Sequence, residues 1–111
     1  MSFAISKFYE LTYYNSIEKQ ITACRKMPEN WRSCLQASAL YRASGELSKS
    51  TEILKEVLTR QKNNFVALRM LSINYLEQCK IDDACKILNT YLILYSNKEM
   101  QEEKEKICSL N

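Results

Sequence analysis

The sequence predicts an all-α protein, a short α-solenoid of antiparallel helix pairs that ends in a capping helix. Residues 31–64 and 65–98 form two copies of one 34-residue unit laid end to end, and a period of this length is typical of a helical repeat array. The whole chain of 111 residues contains one glycine and one proline, which favours helices with few interruptions. These two observations carry the fold prediction.

The two copies match at the positions that shape a helix pair. Identical or similar side chains recur 34 residues apart, as in Ser38 and Ser72, Tyr41 and Tyr75, Leu47 and Ile81, Leu54 and Leu88, Leu58 and Leu92, and Asn63 and Asn97. Within the first copy, apolar residues recur at three-and-four spacing over two stretches, which indicates two amphipathic helices. Gly45 lies between them and can take the left-handed conformation that ends a helix. Each copy is therefore predicted as a helix, a tight turn and a second helix.

At these positions the chain resembles the tetratricopeptide repeat family. That family has small residues at the eighth and twentieth positions of each repeat and a large aromatic residue at the eleventh. The residues at these positions here are Ser38 and Ser72, Ser50 and Ala84, and Tyr41 and Tyr75. Two residues depart from the pattern: Cys79 replaces the turn glycine of the second copy, and Cys34 holds the usual tryptophan position, three residues after Trp31. The resemblance implies the fold and says little about the partner.

The repeat divides one domain, residues 1–111, into units at about 1–30, 31–64 and 65–98. Pro28 falls where the family often carries a terminating proline, so the first unit is interpreted as a degenerate repeat with a short first helix. Helices are predicted at about 2–10, 15–26, 31–44, 47–60 and 65–78, then one ending near residue 95, and a solvated capping helix at 99–109. Because the last repeat of an array needs a cover for its inner face, Met100, Ile107 and Leu110 are expected to pack inward.

Polar residues mark the predicted helix starts. Asn30 is a suitable N-cap for the helix that begins at Trp31, and either Asn63 or Asn64 for the next unit. Asn97 begins the last segment. Asp82 and Asp83 fall in the first turn of their helix, where negative charge complements the helix dipole.

The resemblance implies a concave groove lined mainly by the first helix of each unit. Carried over by repeat position, the expected partner-binding residues are Ile5, Phe8, Tyr9, Arg32, Leu35, Ala39, Arg42, Val66, Arg69, Ile73 and Leu76. They describe an apolar floor edged by Arg32, Arg42 and Arg69, which suits an amphipathic helix that carries acidic residues. The alternative is that the protein's own termini or self-association cover this surface.

One known use of the family fold is not expected. A clamp for the C-terminal carboxylate of heat-shock chaperones needs lysine and asparagine at the fifth and ninth positions, and Leu35, Ala39 and Ile73 hold three of those four places. In overall plan the chain is similar to the small bacterial chaperones of type III secretion needle subunits. That similarity implies a chaperone, often with a second small helical co-chaperone, that holds the needle subunit's C-terminal helix and prevents premature polymerisation.

Two other interaction functions are compatible with the sequence. A generic scaffold subunit of a larger assembly would use the same groove. Residues 75–92 also resemble a pentatricopeptide unit, whose family reads single-stranded RNA. The net charge of +3 is small for a protein that grips many phosphates, so nucleic acid is not the expected partner.

The residue inventory disfavours catalysis, metals and membranes. The chain has no histidine and five scattered cysteines, and a single glycine allows no glycine-rich phosphate loop. We therefore expect no enzyme activity, no cofactor and no metal. The cysteines are interpreted as free, semi-buried apolar residues in a reducing compartment. Since the sequence shows neither a signal-peptide pattern nor an apolar run of about 18 residues, the expected location is cytoplasmic.

Overall fold

A computed structural model describes residues 18–27, 29–95 and 97–109. Over these ranges the chain forms helices and no strand: α1 at 18–26, α2 at Trp31–Ala43, α3 at Leu47–Arg60, α4 at Phe65–Glu77, α5 at Ile81–Leu94 and α6 at Lys98–Cys108. From α2 onward, each helix contacts the one that follows it. The prediction of an all-α helical solenoid is confirmed. The predicted helix at 2–10 and the start of the one at 15–26 lie outside the described residues.

Asparagine caps begin three of the helices. Asn30, Asn64 and Asn97 each accept a hydrogen bond on Oδ1 from the backbone amide three residues later, at 3.4, 3.0 and 3.1 Å. Such a bond satisfies one of the free amides of the first helical turn. The Asn30 cap is thus confirmed, and of the two alternatives at the next unit the structure selects Asn64. Asp82 and Asp83 lie in the first turn of α5, as predicted.

The turns inside the two helix pairs have the same backbone. Gly45 has φ +84° and Cys79, its counterpart in the second pair, has φ +59°. After each turn an amide bonds back to the first helix: Glu46 N to Tyr41 O at 2.9 Å and Lys80 N to Tyr75 O at 2.8 Å. This pattern closes a helix that ends in a left-handed residue. The replacement of glycine by Cys79 therefore leaves the turn geometry intact.

The small side chains at the eighth and twentieth repeat positions are buried. Ser38, Ser50 and Ala84 are fully buried and Ser72 is 2% exposed. The Ser38 hydroxyl donates to Leu35 O at 2.7 Å and the Ser72 hydroxyl to Arg69 O at 2.7 Å. Because each hydroxyl is satisfied within its own helix, the serines are buried without an unpaired polar group.

A buried asparagine joins the two helix pairs. Asn74 of α4 is fully buried, and its Nδ2 donates to Ser50 Oγ at 2.9 Å and to Thr51 Oγ1 at 3.4 Å, both on α3. Its Oδ1 has no hydrogen-bond partner among the described residues. Around this contact, the apolar core runs through Cys24, Cys34, Leu35, Leu54, Val57, Ala67, Leu71, Tyr75 and Ala84.

Four of the five cysteines are paired, so the expectation of free cysteines is wrong for those four. A disulfide joins Cys24 of α1 to Cys34 of α2, with Cα atoms 4.9 Å apart, and another joins Cys85 of α5 to Cys108 of α6, with Cα atoms 5.8 Å apart. Cys79 is free and exposed. The solenoid sets consecutive helices side by side, and this brings together cysteines that are scattered along the sequence. None of the described helices has the length and apolar character to cross a membrane.

Candidate groove for a partner protein

A pocket of about 90 Å³ lies between α4 and α6, with α5 at its base. Its lining residues are Arg69, Ser72, Ile73 and Leu76 of α4, Leu88 of α5, and Met100, Glu103 and Ile107 of α6. Three residues expected in the groove from the sequence, Arg69, Ile73 and Leu76, therefore meet here. The pocket is smaller than the roughly 150 Å³ cavity that holds a benzene ring in an engineered protein core, so its size suits one aliphatic side chain.

The α6 wall repeats the α4 wall. Met100, Glu103 and Ile107 follow Val66, Arg69 and Ile73 by one repeat length of 34 residues, and their three-and-four spacing puts them on one face of the helix. The expected inward packing of Met100 and Ile107 is seen, since both are half-buried; Leu110 lies outside the described residues. Besides covering the array, α6 occupies the place of the first helix of a further repeat. Extending the repeat count past residue 98 would have identified this wall from the sequence.

The pocket mouth carries one positive and one negative side chain. Arg69 and Glu103 are both exposed, and they are not joined to each other by an ion pair. Both charged groups are therefore available to a ligand that inserts between the two walls.

Arg42 contributes less positive charge to the rim than the sequence suggested. Its guanidinium donates to Glu77 Oε1, which joins α2 to α4, and the two side chains are 30% and 45% exposed. The carboxylate neutralises the arginine at this point of the groove. Arg32 is exposed, with its guanidinium carbon 4.6 Å from the centre of the Trp31 ring. The rim is thus less basic than expected.

Leu35 belongs to the core and not to the groove surface. It is 9% exposed and lies in the same core cluster as Leu54 and Leu71, so the expectation that Leu35 binds a partner is corrected: its side chain is buried within the protein. Val66 and Leu76 are partly buried and pack against that cluster, whereas Ala39 is exposed. The expected groove residues Ile5, Phe8 and Tyr9 lie outside the described residues.

The remaining polar features lie on other surfaces. Two hollows of about 250 and 330 Å³ lie beside α1 and α3, and charged side chains line them, among them Arg25 and Glu56. At the start of α3, the hydrogen bond and negative charge of Glu46, 3.1 Å away, raise the pKa of Lys49. In the part of the chain that the structure describes, no group of three histidine, cysteine or acidic residues is placed to hold a metal ion.

The sequence matches no known protein family, and no curated protein matches it significantly. The structure is similar to a solved one described as the first TPR of Spaghetti (RPAP3) bound to the HSP90 peptide SRMEEVD. The TM-score is 0.75 with 16% sequence identity, and the match covers 95% of this chain and 86% of that one. At this sequence identity, the similarity shows a shared fold and does not show a shared function. The chain has a tetratricopeptide-like fold.

Proposed function

We propose that the chain is a non-enzymatic protein-interaction module that binds an amphipathic helix of a partner protein in the groove between α4 and α6. The observation that carries the proposal is the pocket between Ile73 and Ile107, which is apolar, open and the size of one aliphatic side chain. A helix is the natural ligand, because it presents such a side chain between charged neighbours one turn away. Arg69 and Glu103 lie at the pocket mouth and can form ion pairs with those charged neighbours.

The structural neighbour supports a peptide-binding function for this chain, but it does not support binding of the same ligand. That protein was solved with a bound HSP90 peptide, so its fold accommodates a peptide ligand. Here Leu35, Ala39 and Ile73 hold three of the four clamp positions and offer no donor to a terminal carboxylate, which leaves Arg69 as the single basic residue of the four. An apolar anchor is therefore the expected determinant of binding.

The pocket is one hot spot within a larger contact. Full burial of one aliphatic side chain gains about 1.5–3 kcal/mol, which is less than the loss of translational and rotational freedom on association. Useful affinity therefore requires further contacts along the concave face, where Ala39, Val66 and Arg32 are available. Hot spots of this kind typically dominate an interface without forming all of it.

The most specific form of the proposal is a cytoplasmic chaperone or co-chaperone of a type III secretion needle subunit. In this role the groove masks the sticky helix of the needle subunit until export, together with a second small helical protein. It is supported by the overall plan of the chain and by the apolar groove. The alternative is a scaffold subunit of a larger assembly, which would bind a helix through the same residues.

The test is affinity purification of the tagged full chain from its native source, followed by intact-complex mass spectrometry, with two matched variants. Ile73→Glu places a charge in the pocket, and Ile93→Glu places one on α5 at a site 84% exposed and outside the pocket. We expect a complex of one or two small helical proteins that is lost at least tenfold with Ile73→Glu and kept with Ile93→Glu. A large assembly would favour the scaffold, and equal binding by both variants would exclude the groove.

A further inference from the structure

We infer that the Cys85–Cys108 disulfide is a redox latch that holds α6 against the groove, and that its reduction releases α6. The inference rests on the proposed function, because α6 forms one wall of the groove that would take the partner helix. It concerns how that site is regulated and does not depend on which protein binds there.

The noncovalent contacts of α6 are made by half-buried side chains. None of its residues is buried, and α5 is the one described helix with which it shares an extended contact. The helix has 11 residues, and isolated helices shorter than roughly 12–15 residues are marginal in water. The bond from Cys108, the last residue of α6, to Cys85 therefore adds a covalent attachment to these contacts.

The same bond is the more accessible of the two disulfides. Cys24 and Cys34 are 7% and 4% exposed, whereas Cys85 and Cys108 are both half-buried. Thiol–disulfide exchange needs access to a sulfur atom, so a reductant reaches Cys85–Cys108 first. The Cys24–Cys34 bond ties α1 to α2 and is largely buried at the edge of the hollow beside α1.

The switching step is exchange with a dithiol. One thiolate of the reductant attacks a sulfur of the pair, the Sγ–Sγ bond breaks, and the second thiol of the reductant resolves the mixed disulfide. Cys85 and Cys108 gain two electrons and two protons, and the dithiol is oxidised to its own disulfide. A small-molecule disulfide drives the reverse exchange. Reducing conditions thus open the latch, and oxidising conditions close it.

Opening the latch changes what the groove accepts. With the bond intact, the space between α4 and α6 admits one side chain. Departure of α6 removes Met100 and Ile107 and leaves Ile73, Leu76 and Leu88 open to a whole helix. The released helix carries Glu99, Glu102, Glu103 and Glu105 together with Lys98, Lys104 and Lys106, so it is an amphipathic helix of mixed charge. The closed state thus keeps the pocket that takes one anchoring side chain, and the open state lacks its α6 wall.

The test uses the purified full chain with Cys79 alkylated, and follows backbone hydrogen exchange by mass spectrometry. Dithiothreitol should raise the exchange rate of the α6 amides at least tenfold and leave those of α3 and α4 within twofold. The double variant Cys85→Ser with Cys108→Ser should exchange as fast without reductant. Fluorescence of the apolar dye anilinonaphthalene sulfonate should rise in parallel, since Ile73, Leu76 and Leu88 become exposed.

The matched control is Cys24→Ser with Cys34→Ser, in which α6 should stay protected until dithiothreitol is added. Equal α6 exchange in the oxidised and reduced protein would overturn the inference, as would release of α6 in the control variant. If the Cys85/Cys108 variant fails to fold, the dithiothreitol comparison on the unmodified pair decides alone. No partner takes part, so a groove without a ligand would remove the proposed function and leave this result standing.

Discussion

At the residue scale, one position of the repeat is held by glycine in one turn and by cysteine in the other. Gly45 and Cys79 both have positive φ, a conformation that costs a residue with a side chain roughly 1–2 kcal/mol. We predict that Cys79→Gly raises the free energy of unfolding by about 1 kcal/mol, after the greater flexibility of glycine in the unfolded chain is subtracted. Urea denaturation of the oxidised protein measures this difference.

The converse substitution is the control. A Cβ added at Gly45 would meet no atom within 4 Å, so Gly45→Ala should cost about 1 kcal/mol through backbone conformation alone. Opposite signs at the two positions are the expected result. A neutral Cys79→Gly would mean that the thiol side chain stabilises its turn by contacts that offset the strain.

Leu35 and Ile73 show why the groove could be predicted only in part. Both fall on the first helix of a repeat at positions that the family uses for binding, and only the packing of α2 against its neighbours places Leu35 at 9% exposed and Ile73 at 36%. We predict that Leu35→Ala lowers the free energy of unfolding by about 2–4 kcal/mol, as for a core leucine, and Ile73→Ala by less than about 1 kcal/mol. Comparable losses would mean that Ile73 is also a core residue.

At the element scale, the helices from residue 31 onward could be predicted to within one or two residues, because the repeat period, the turn glycine and the asparagine caps all mark the same boundaries. The pairing of cysteines could not. Cys85 and Cys108 are 23 residues apart, and nothing in that spacing distinguishes a bonded pair from two unrelated thiols. Their proximity follows from the packing of α6 on α5, which exists only in the folded chain.

The Cys24–Cys34 bond closes a short loop between α1 and α2. Loop-closure entropy for its separation of 10 residues predicts that Cys24→Ser with Cys34→Ser lowers the free energy of unfolding by about 2–3 kcal/mol. Urea titration with and without reductant measures this. The difference from the parent protein should nearly vanish when both are fully reduced, and a difference that persists would assign the loss to packing of the serines in the core.

The Arg42–Glu77 pair links α2 to α4 on the surface and should add little stability. With both side chains partly exposed, solvent screens their attraction, and pairs of this kind typically contribute under about 1 kcal/mol. A double-mutant cycle with Arg42→Ala and Glu77→Ala should give a coupling energy within that limit. A larger coupling would show that the ion pair fixes how the two repeats are oriented.

At the scale of the whole molecule, the groove follows from stacking rather than from any one motif. Each helix contacts its neighbours in the chain, and in such arrays stability is roughly a sum of repeat and interface terms. Repetition of the same positions on α4 and α6 puts two apolar walls face to face across Leu88. The family resemblance predicted the α4 wall. It did not predict the α6 wall, because the charged residues at 98–106 are typical of a solvated capping helix and not of a further repeat.

The most direct test of groove binding is methyl NMR of the protein labelled at isoleucine. The labelled protein is titrated with a peptide that has the sequence of the amphipathic helix of the partner identified by affinity purification. We predict that the largest shift changes occur at Ile73 and Ile107, and that Ile21 and Ile53, which line the hollow beside α1, change little. Binding that perturbs Ile21 and Ile53 while leaving Ile73 and Ile107 unchanged would contradict the account and move the interaction site to the hollow beside α1.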